Sequence, residues 1–219
     1  MLDNKNLKPN DYYSQNRLEM LDFIPKNSKK VLDLGCGQGN FAKILKDKLE
    51  AEVWGVEVEK NEAEIARKKL DKLIIAKLED VAYDLPDNYF DCLVFNDILE
   101  HLADPYSVLN DLRTKLTKNG VMVASIPNVR YFFNLKELMV DKNWRYSNSG
   151  ILDKTHLRFF TKKSIIETLK SLNFEILTIK GINPIKLWRF KLLNILLLNY
   201  LNDTRYMQYA CVFKDKKYE

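Results

Sequence analysis

The sequence predicts an α/β fold built on a doubly wound, mainly parallel sheet. Short apolar runs alternate with longer charged segments of helical periodicity along the 219 residues, as expected where crossover helices join parallel strands. The first strong run, VLDL at 31–34, opens directly into glycines at 35, 37 and 39. A chain of this length with 46% hydrophobic residues can bury one substantial core. We therefore predict a single domain covering residues 1–219.

Each predicted strand is an apolar run bounded by charged or turn residues. The strands are expected near 30–35, 52–57, 73–77, 91–96, 120–126, 174–181 and 206–214, with helices after most of them. Asp104 and Pro105 predict a helix start, because aspartate caps free N–H groups and proline suits the first helical position. The TKNG stretch at 117–120 is expected to end that helix. Insertions are expected at about 127–160 and, as an apolar helix, at about 184–203.

The composition favours a cytoplasmic protein that does not depend on nucleic acid. The chain has 35 basic and 30 acidic side chains, so its surface is mixed rather than strongly cationic. Its three cysteines, Cys36, Cys92 and Cys211, are odd in number and widely spaced. This pattern favours reduced thiols over a disulfide or zinc framework. The first residues, MLDNKNLKPNDYY, lack the apolar core of a signal peptide.

The glycine-rich stretch VLDLGCGQG at 31–39 predicts a ligand-binding loop between a strand and a helix. Glycines permit positive φ and let a ligand lie against backbone N–H groups. The next apolar run closes on Glu57, about 20 residues later, where a carboxylate can accept both ribose hydroxyls. This acid suits NAD and S-adenosylmethionine (SAM) equally, and a turn that binds nothing is a further alternative. The spacing, however, is G-x-G-x-G and not the dinucleotide G-x-G-x-x-G.

With Asp33 before its first glycine, this stretch resembles motif I of the class I SAM-dependent methyltransferases, and FDCLVFNDILEHLADP at 90–105 resembles their fourth-strand segment. The resemblance covers nearly all of residues 12–214. It implies a Rossmann-like seven-stranded methyltransferase sheet whose final strand is antiparallel between its neighbours. It also implies SAM as cofactor, and the residues expected to bind it are Arg17, Asp33, Gly35, Cys36, Gly37, Glu57, Leu78, Glu79, Asp80 and Asn96.

The methionine and adenine ends of the predicted cofactor site are less clearly defined by the sequence. DYYSQNRLEMLDFIP at 11–25 is expected to form an amphipathic helix that covers the cofactor. There Arg17 either pairs with the methionine carboxylate or is merely solvated. Lys77 stands where many similar methyltransferases have the aspartate that receives the adenine amino group. Glu79 or Asp80 would substitute for that aspartate, and the backbone near Leu78 would still contact the ring.

Candidate catalytic residues lie in NDILEHLADP and in DKTHLRFFT at 153–161. Asp97, Glu100 and His101 are at i, i+3 and i+4, which places them on one face of a helical turn. Asp97 and Glu100 also fit a helix capping box. The only other histidine, His156, is expected to converge with His101 at the carboxyl edge of the sheet. A histidine would serve as general base, with a carboxylate orienting it.

Three resemblances leave the acceptor open. The acid-x-x-Glu-His segment with a later histidine resembles metal-dependent methyltransferases of RNA 2′-hydroxyls, which would make Asp97, Glu100, His101 and His156 ligands of a divalent ion. DILEHL resembles ubiquinone-pathway O-methyltransferases. The longer stretch at 126–161 resembles bacterial methyltransferases associated with surface polysaccharide and O-antigen synthesis. We favour O-methylation of a glycan or small hydroxylated acceptor over RNA, and over a protein that binds SAM without catalysis.

Two further segments predict contacts with partners. The same resemblance to methyltransferases implies that residues 128–150 shape the acceptor site through polar, aromatic and basic side chains, namely Asn128, Arg130, Tyr131, Phe132, Phe133, Trp144, Arg145 and Tyr146. Tyr131 to Phe133 fit ordinary core packing equally well. Residues 184–203 combine leucines with Trp188 and three basic side chains, and are too short to span a bilayer. This segment is expected to form a lid, a homodimer interface or a peripheral membrane contact.

Overall fold

The computed structural model describes Lys8 and residues 12–216. These residues form a seven-stranded sheet in the order β3-β2-β1-β4-β5-β7-β6. The strands are β1 Lys30–Leu34, β2 Glu52–Glu57, β3 Lys72–Ile75, β4 Phe90–Asn96, β5 Leu116–Pro127, β6 Phe174–Pro184 and β7 Tyr206–Asp215. The first five strands are parallel to one another, whereas β7 is antiparallel to both β5 and β6. This arrangement confirms the predicted methyltransferase-type sheet.

Six helices accompany these strands in the described part of the chain. They are α1 Asn40–Leu49, α2 Lys60–Ala66, α3 Pro105–Leu112, α4 Phe132–Met139, α5 Lys162–Ser171 and α6 Trp188–Leu196. Alternate residues of each strand point to opposite faces of the sheet, and both faces are buried. In β4, Leu93 and Phe95 join one apolar cluster, while Cys92 and Val94 join the other. All three cysteines are free and buried.

The helix start at Asp104 is confirmed, but the predicted helix end is wrong. The Asp104 carboxylate accepts hydrogen bonds from the N–H groups of Tyr106 and Ser107, and Pro105 begins α3. The helix already ends at Leu112, and residues 117–120 lie inside β5. There the pairing register with β4 shifts, so that this stretch forms an irregularity in the strand and not a helix stop.

The predicted amphipathic helix at 11–25 is also wrong over the described residues; Asp11 lies outside them. The chain forms two short 3-10 turns, Tyr12–Ser14 and Leu18–Phe23. Between them Arg17 adopts a left-handed backbone conformation, with φ of 46°. A continuous right-handed helix cannot pass through such a residue. We call residues 12–17 the covering segment.

No helix among the described residues is long and apolar enough to cross a membrane.

Candidate active site

A cavity of about 420 Å³ opens at the carboxyl ends of β1, β2 and β4. This is the edge where ligands bind in doubly wound sheets, because the chain connections leave a crevice there. Nine of the ten predicted cofactor residues line the cavity: Arg17, Asp33, Gly35, Cys36, Gly37, Glu57, Leu78, Glu79 and Asn96. Asp80 is not among the lining residues; it follows Leu78 and Glu79, and its N–H donates to the carbonyl of Lys77.

The glycine loop lines the cavity, but the N–H groups of its first three residues are not free to donate hydrogen bonds to a ligand. The N–H groups of Gly35 and Cys36 both donate to the Val56 carbonyl, at 2.8 and 3.0 Å. The Gly37 N–H donates to the Glu57 carboxylate at 2.8 Å. Since these backbone donors already have acceptors, the expectation that a ligand lies against free loop N–H groups is wrong.

Gly37 is required because another part of the chain lies directly on it. Its φ is +52°, and a Cβ there would come within 2.6 Å of the Tyr13 carbonyl oxygen. The same carbonyl accepts a hydrogen bond from the Gln38 N–H at 2.9 Å. Asn40 at the start of α1 also donates to the Ser14 carbonyl. The covering segment is thus held down on the loop, and Tyr12, Tyr13 and Arg17 form one wall of the cavity.

Glu57 ends β2 as a buried carboxylate fixed by three backbone donors. Its Oε2 accepts from Gly37, and its Oε1 accepts from the N–H groups of Val58 and Glu59, both at 2.9 Å. Burial raises the pKa of Glu57, while these hydrogen bonds oppose the rise. A carboxylate offers about four acceptor positions. About one position is therefore left for a ribose hydroxyl, rather than the two that the sequence predicts.

Asp33, at the other side of the glycine loop, adds a second buried acid. Burial and then the neighbouring Glu57 raise the pKa of Asp33 to about 7, while Arg17 opposes the rise. A cation placed between the two carboxylates would favour the ionised form of both. SAM carries a sulfonium and an ammonium group, which suit this lining. The pyrophosphate of NAD would face two acids and a loop without free N–H donors.

Arg17 lies in the cavity wall but pairs with a carboxylate of the protein. Its guanidinium donates to Asp97 Oδ2 at 2.5 Å and to Ser125 Oγ at 2.7 Å. The Asp97 carboxylate also accepts from Ser125 and from Gln208 on β7, the latter at 2.6 Å. Asp97 therefore joins the covering segment to β5 and β7. It does not cap the following turn, and Glu100 makes no reciprocal bond, so the capping box is absent.

His101 and His156 converge as predicted, with ring centroids 4.6 Å apart in an edge-to-face contact. Their tautomers follow from their neighbours, because a carbonyl can only accept. Nδ1 of His101 donates to the Thr155 carbonyl at 3.2 Å and also lies 3.0 Å from the Thr155 hydroxyl. Nδ1 of His156 donates to the Ile151 carbonyl at 2.8 Å. In each ring, therefore, Nε2 keeps its lone pair.

Only His101 reaches the cavity. Its Nε2 lies 3.4 Å from the Tyr12 hydroxyl, whereas His156 is buried behind it. Burial and then the neighbouring His156 lower the pKa of His101 to about 4. Burial also lowers the pKa of His156. Both rings are therefore neutral at pH 7, and the lone pair of His101 is available to accept a proton.

Glu100 is the least satisfied polar group near the histidines. It is 1% exposed, and neither carboxylate oxygen has a hydrogen-bond partner among the described residues. Its Oε1 lies 3.9 Å from His156 Nε2. Burial raises the pKa of Glu100 well above its ordinary value. Ligand atoms of Glu100, His101 and His156 all lie within 4.8 Å of one another, so these three could hold a metal ion. Asp97 is not in this group.

Comparison with known proteins agrees with this geometry. The methyltransferase domain family matches residues 7–179. This chain belongs to the methyltransferase domain family. The fold is that of a SAM-dependent methyltransferase of Archaeoglobus fulgidus, with a TM-score of 0.67 and 19% identity over 91% of each chain. That neighbour is SAM-dependent, and the two buried acids at the cavity of this chain fit the same cofactor.

Two relatives are similar in sequence. An uncharacterized protein of Methanocaldococcus jannaschii is 30% identical over 69% of this chain and 66% of its own. A ubiquinone biosynthesis O-methyltransferase of Actinobacillus pleuropneumoniae is 30% identical over 49% of this chain and 52% of its own. The chain thus spans less than two thirds of the length of either relative.

Residues 128–146 of the predicted acceptor insertion do not line this cavity. The buried Asn128 donates to the carbonyls of Asp203 and Tyr206, and Arg130 pairs with Asp203 at 2.6 Å. Phe132 packs against Phe190, with ring centroids 5.0 Å apart. These side chains hold the connection between β6 and β7.

Sequence reasoning missed several residues of the site, and three of them lie near the covering segment or the histidines. Tyr12 and Tyr13 line the cavity from the covering segment, and Thr155 lines it beside His101. The Thr155 hydroxyl donates to Asp153 Oδ1 at 2.9 Å, so it can accept from the His101 ring. In the sequence, only the position of Thr155 next to His156 indicated that it belongs to the site. The partnership with His101, 54 residues away, depends on the fold.

Proposed function

We propose that this methyltransferase transfers a methyl group from SAM to a hydroxyl of a sugar or glycan precursor, as in surface polysaccharide synthesis. The observation that carries the proposal is His101, whose neutral ring presents an Nε2 lone pair at the cavity while Thr155 fixes its Nδ1. The resemblance of residues 126–161 to polysaccharide-associated methyltransferases supports the choice of acceptor.

The chemistry requires alignment and one proton acceptor. When bound, SAM supplies an electrophilic methyl group on a sulfonium. An acceptor hydroxyl that takes the place of the Tyr12 hydroxyl beside His101 Nε2 would give its proton to that nitrogen as the carbon–oxygen bond forms and the methyl–sulfur bond breaks, leaving S-adenosylhomocysteine. Burial lowers the pKa of His101 to about 4, so the ring is unprotonated at neutral pH but is a weaker base than an ordinary imidazole. His156 and Thr155 keep that ring in place.

The test measures S-adenosylhomocysteine (SAH) formed with a panel of nucleotide sugars, a quinol precursor and a short RNA. We expect turnover with a sugar acceptor. His101→Ala should reduce it by roughly a hundredfold or more, the usual scale for a positioned base. SAH affinity should stay nearly unchanged. Lys154→Ala, on the exposed side of the same loop, is the control. Methylation of only the RNA or only the quinol would refute the sugar assignment.

A metal-dependent hydroxyl methyltransferase is a second candidate, favoured by Glu100. A buried carboxylate without hydrogen-bond partners must bind either a proton or a cation. Two neutral imidazoles beside it complete a donor set that suits a borderline divalent ion. The four ligands implied by the sequence reduce to three, because Asp97 pairs with Arg17 and Gln208.

Calorimetric titration with Mg²⁺, Mn²⁺ and Zn²⁺ tests this candidate independently of turnover. We expect Glu100→Gln to abolish any binding, and a chelator to stop turnover until metal is restored. If no cation binds and chelator has no effect, the metal-dependent mechanism is excluded and the base mechanism is retained.

A further inference from the structure

The connection between β6 and β7 exposes a continuous run of large apolar side chains. We call it the apolar face; its members are Trp188, Leu192, Ile195, Leu196, Leu198 and Tyr200, each more than half exposed. Leu196 is 79% exposed and Leu198 is 91% exposed. Surface patches of this kind mark contact with a partner or a membrane rather than with water.

α6 buries one aromatic side chain, Phe190, together with one polar side chain. Its asparagine, Asn194, is buried, while the leucines around it point outward. The Asn194 side chain accepts from the Leu201 N–H at 2.9 Å and donates to Asn202 Oδ1 at 3.0 Å. Asn194 therefore fixes the turn after α6, and this fixed turn presents Leu198 and Tyr200 outward.

The charges within the segment that carries the apolar face have one sign. Residues 184–202 contain Lys186, Arg189 and Lys191 and no acidic residue. The nearest acid in the sequence, Asp203, is paired with Arg130. In a symmetric dimer formed through this face, the same basic groups would meet one another without compensating acids. An anionic lipid surface instead supplies the opposite charge for basic residues and an apolar layer for leucines.

We propose that the apolar face docks this protein onto an anionic lipid bilayer. With nine residues, α6 is about 14 Å long, far shorter than the roughly 30 Å of a hydrocarbon core, so the helix lies in the interface. Trp188 and Tyr200 belong to the residue types that settle at the headgroup level. Asn128, directly after β5, donates to the carbonyls of both Asp203 and Tyr206, which fixes the connection between β6 and β7 to the same sheet edge as the cavity. The proposal does not depend on the acceptor named above.

Flotation of the full chain with vesicles tests the proposal, using phosphatidylcholine alone and phosphatidylcholine containing phosphatidylglycerol. We expect binding to the anionic vesicles, weakened by added salt. Leu198→Glu should reduce binding by tenfold or more. Tyr83→Glu is the matched control, since Tyr83 is also 91% exposed but lies in the turn between β3 and β4. It should bind like the wild type.

A second variant removes the charges and leaves the leucines. Lys186→Gln combined with Arg189→Gln and Lys191→Gln should weaken binding by on the order of a hundredfold, because each basic group near an anionic surface contributes about fivefold. Absence of wild-type binding to the anionic vesicles, or equal binding of Leu198→Glu and Tyr83→Glu, would overturn the proposal. So would a dimer in solution that Leu198→Glu dissociates while neither vesicle binds, since the occupant would then be a second copy.

Discussion

Replacing Gly37 with alanine tests whether one close approach holds the covering segment on the glycine loop. The added Cβ would lie 2.6 Å from the Tyr13 carbonyl oxygen, and the residue would keep a φ of +52°. Gly150→Ala is the matched control, because Gly150 has a φ of +84° with no atom within 4 Å of an added Cβ. The two variants share the backbone strain and differ in the contact.

The expected loss of unfolding free energy in each variant follows from the contacts of the two glycines. The strained backbone costs about 1–2 kcal/mol in either variant. In Gly37→Ala the Tyr13 carbonyl must also move away, which disrupts its hydrogen bond from Gln38, worth about 1 kcal/mol. We therefore expect the free energy of unfolding to fall by roughly 2–3 kcal/mol, against roughly 1–2 kcal/mol for Gly150→Ala. For a chain of this size each 1 kcal/mol lowers Tm by about 2–4 °C.

Gly37→Ala and Gly150→Ala should differ more in their affinity for SAH than in their free energy of unfolding. Tyr13 and Arg17 line the cavity from the covering segment, so displacement of that segment by Gly37→Ala should weaken SAH binding by about tenfold or more. Gly150→Ala should leave SAH affinity unchanged. Urea unfolding and calorimetric titration give the two quantities. Equal Tm and equal SAH affinity in the two variants would show that the approach of Tyr13 to Gly37 does not hold the site together.

Two further predictions concern titratable groups. Glu57→Ala leaves three backbone N–H groups without their acceptor. It should weaken SAH binding by at least about tenfold and lower the free energy of unfolding by about 1–3 kcal/mol. If calorimetry shows that the variant binds SAH as tightly as the wild type, the ribose lies elsewhere. The pKa of His101 is about 4, below its ordinary 6.5, so between these values the unfolded chain binds more protons at this group than the folded one. The contribution of His101 to the free energy of unfolding is complete above pH 6.5 and declines toward pH 4, by at most about 1.4 kcal/mol per pH unit. Urea unfolding at several pH values should show a smaller decline in His101→Gln than in the wild type, and identical pH profiles would contradict the assigned pKa.

The sequence by itself determined the sheet and most of the cofactor wall. Alternating apolar runs define strands because residues on neighbouring pleats must both be buried, and this is a local property. The Asp104 cap is local as well, since the side chain bonds to N–H groups two and three residues away. Glycine spacing and the acid at Glu57 were enough to locate the cavity, because the carboxyl ends of neighbouring parallel strands meet at one edge.

Only the tertiary structure decided what each polar group in the site binds. Asp97 could have capped a helix or faced a ligand; its partners Arg17 and Gln208 are 80 and 111 residues away, and no local pattern specifies them. The loop N–H groups lost their predicted role because Val56 and Glu57, on another strand, already accept from them. Hydrogen bonds and pKa values depend on which groups are buried together, and distant segments of the chain are brought together only when the chain folds.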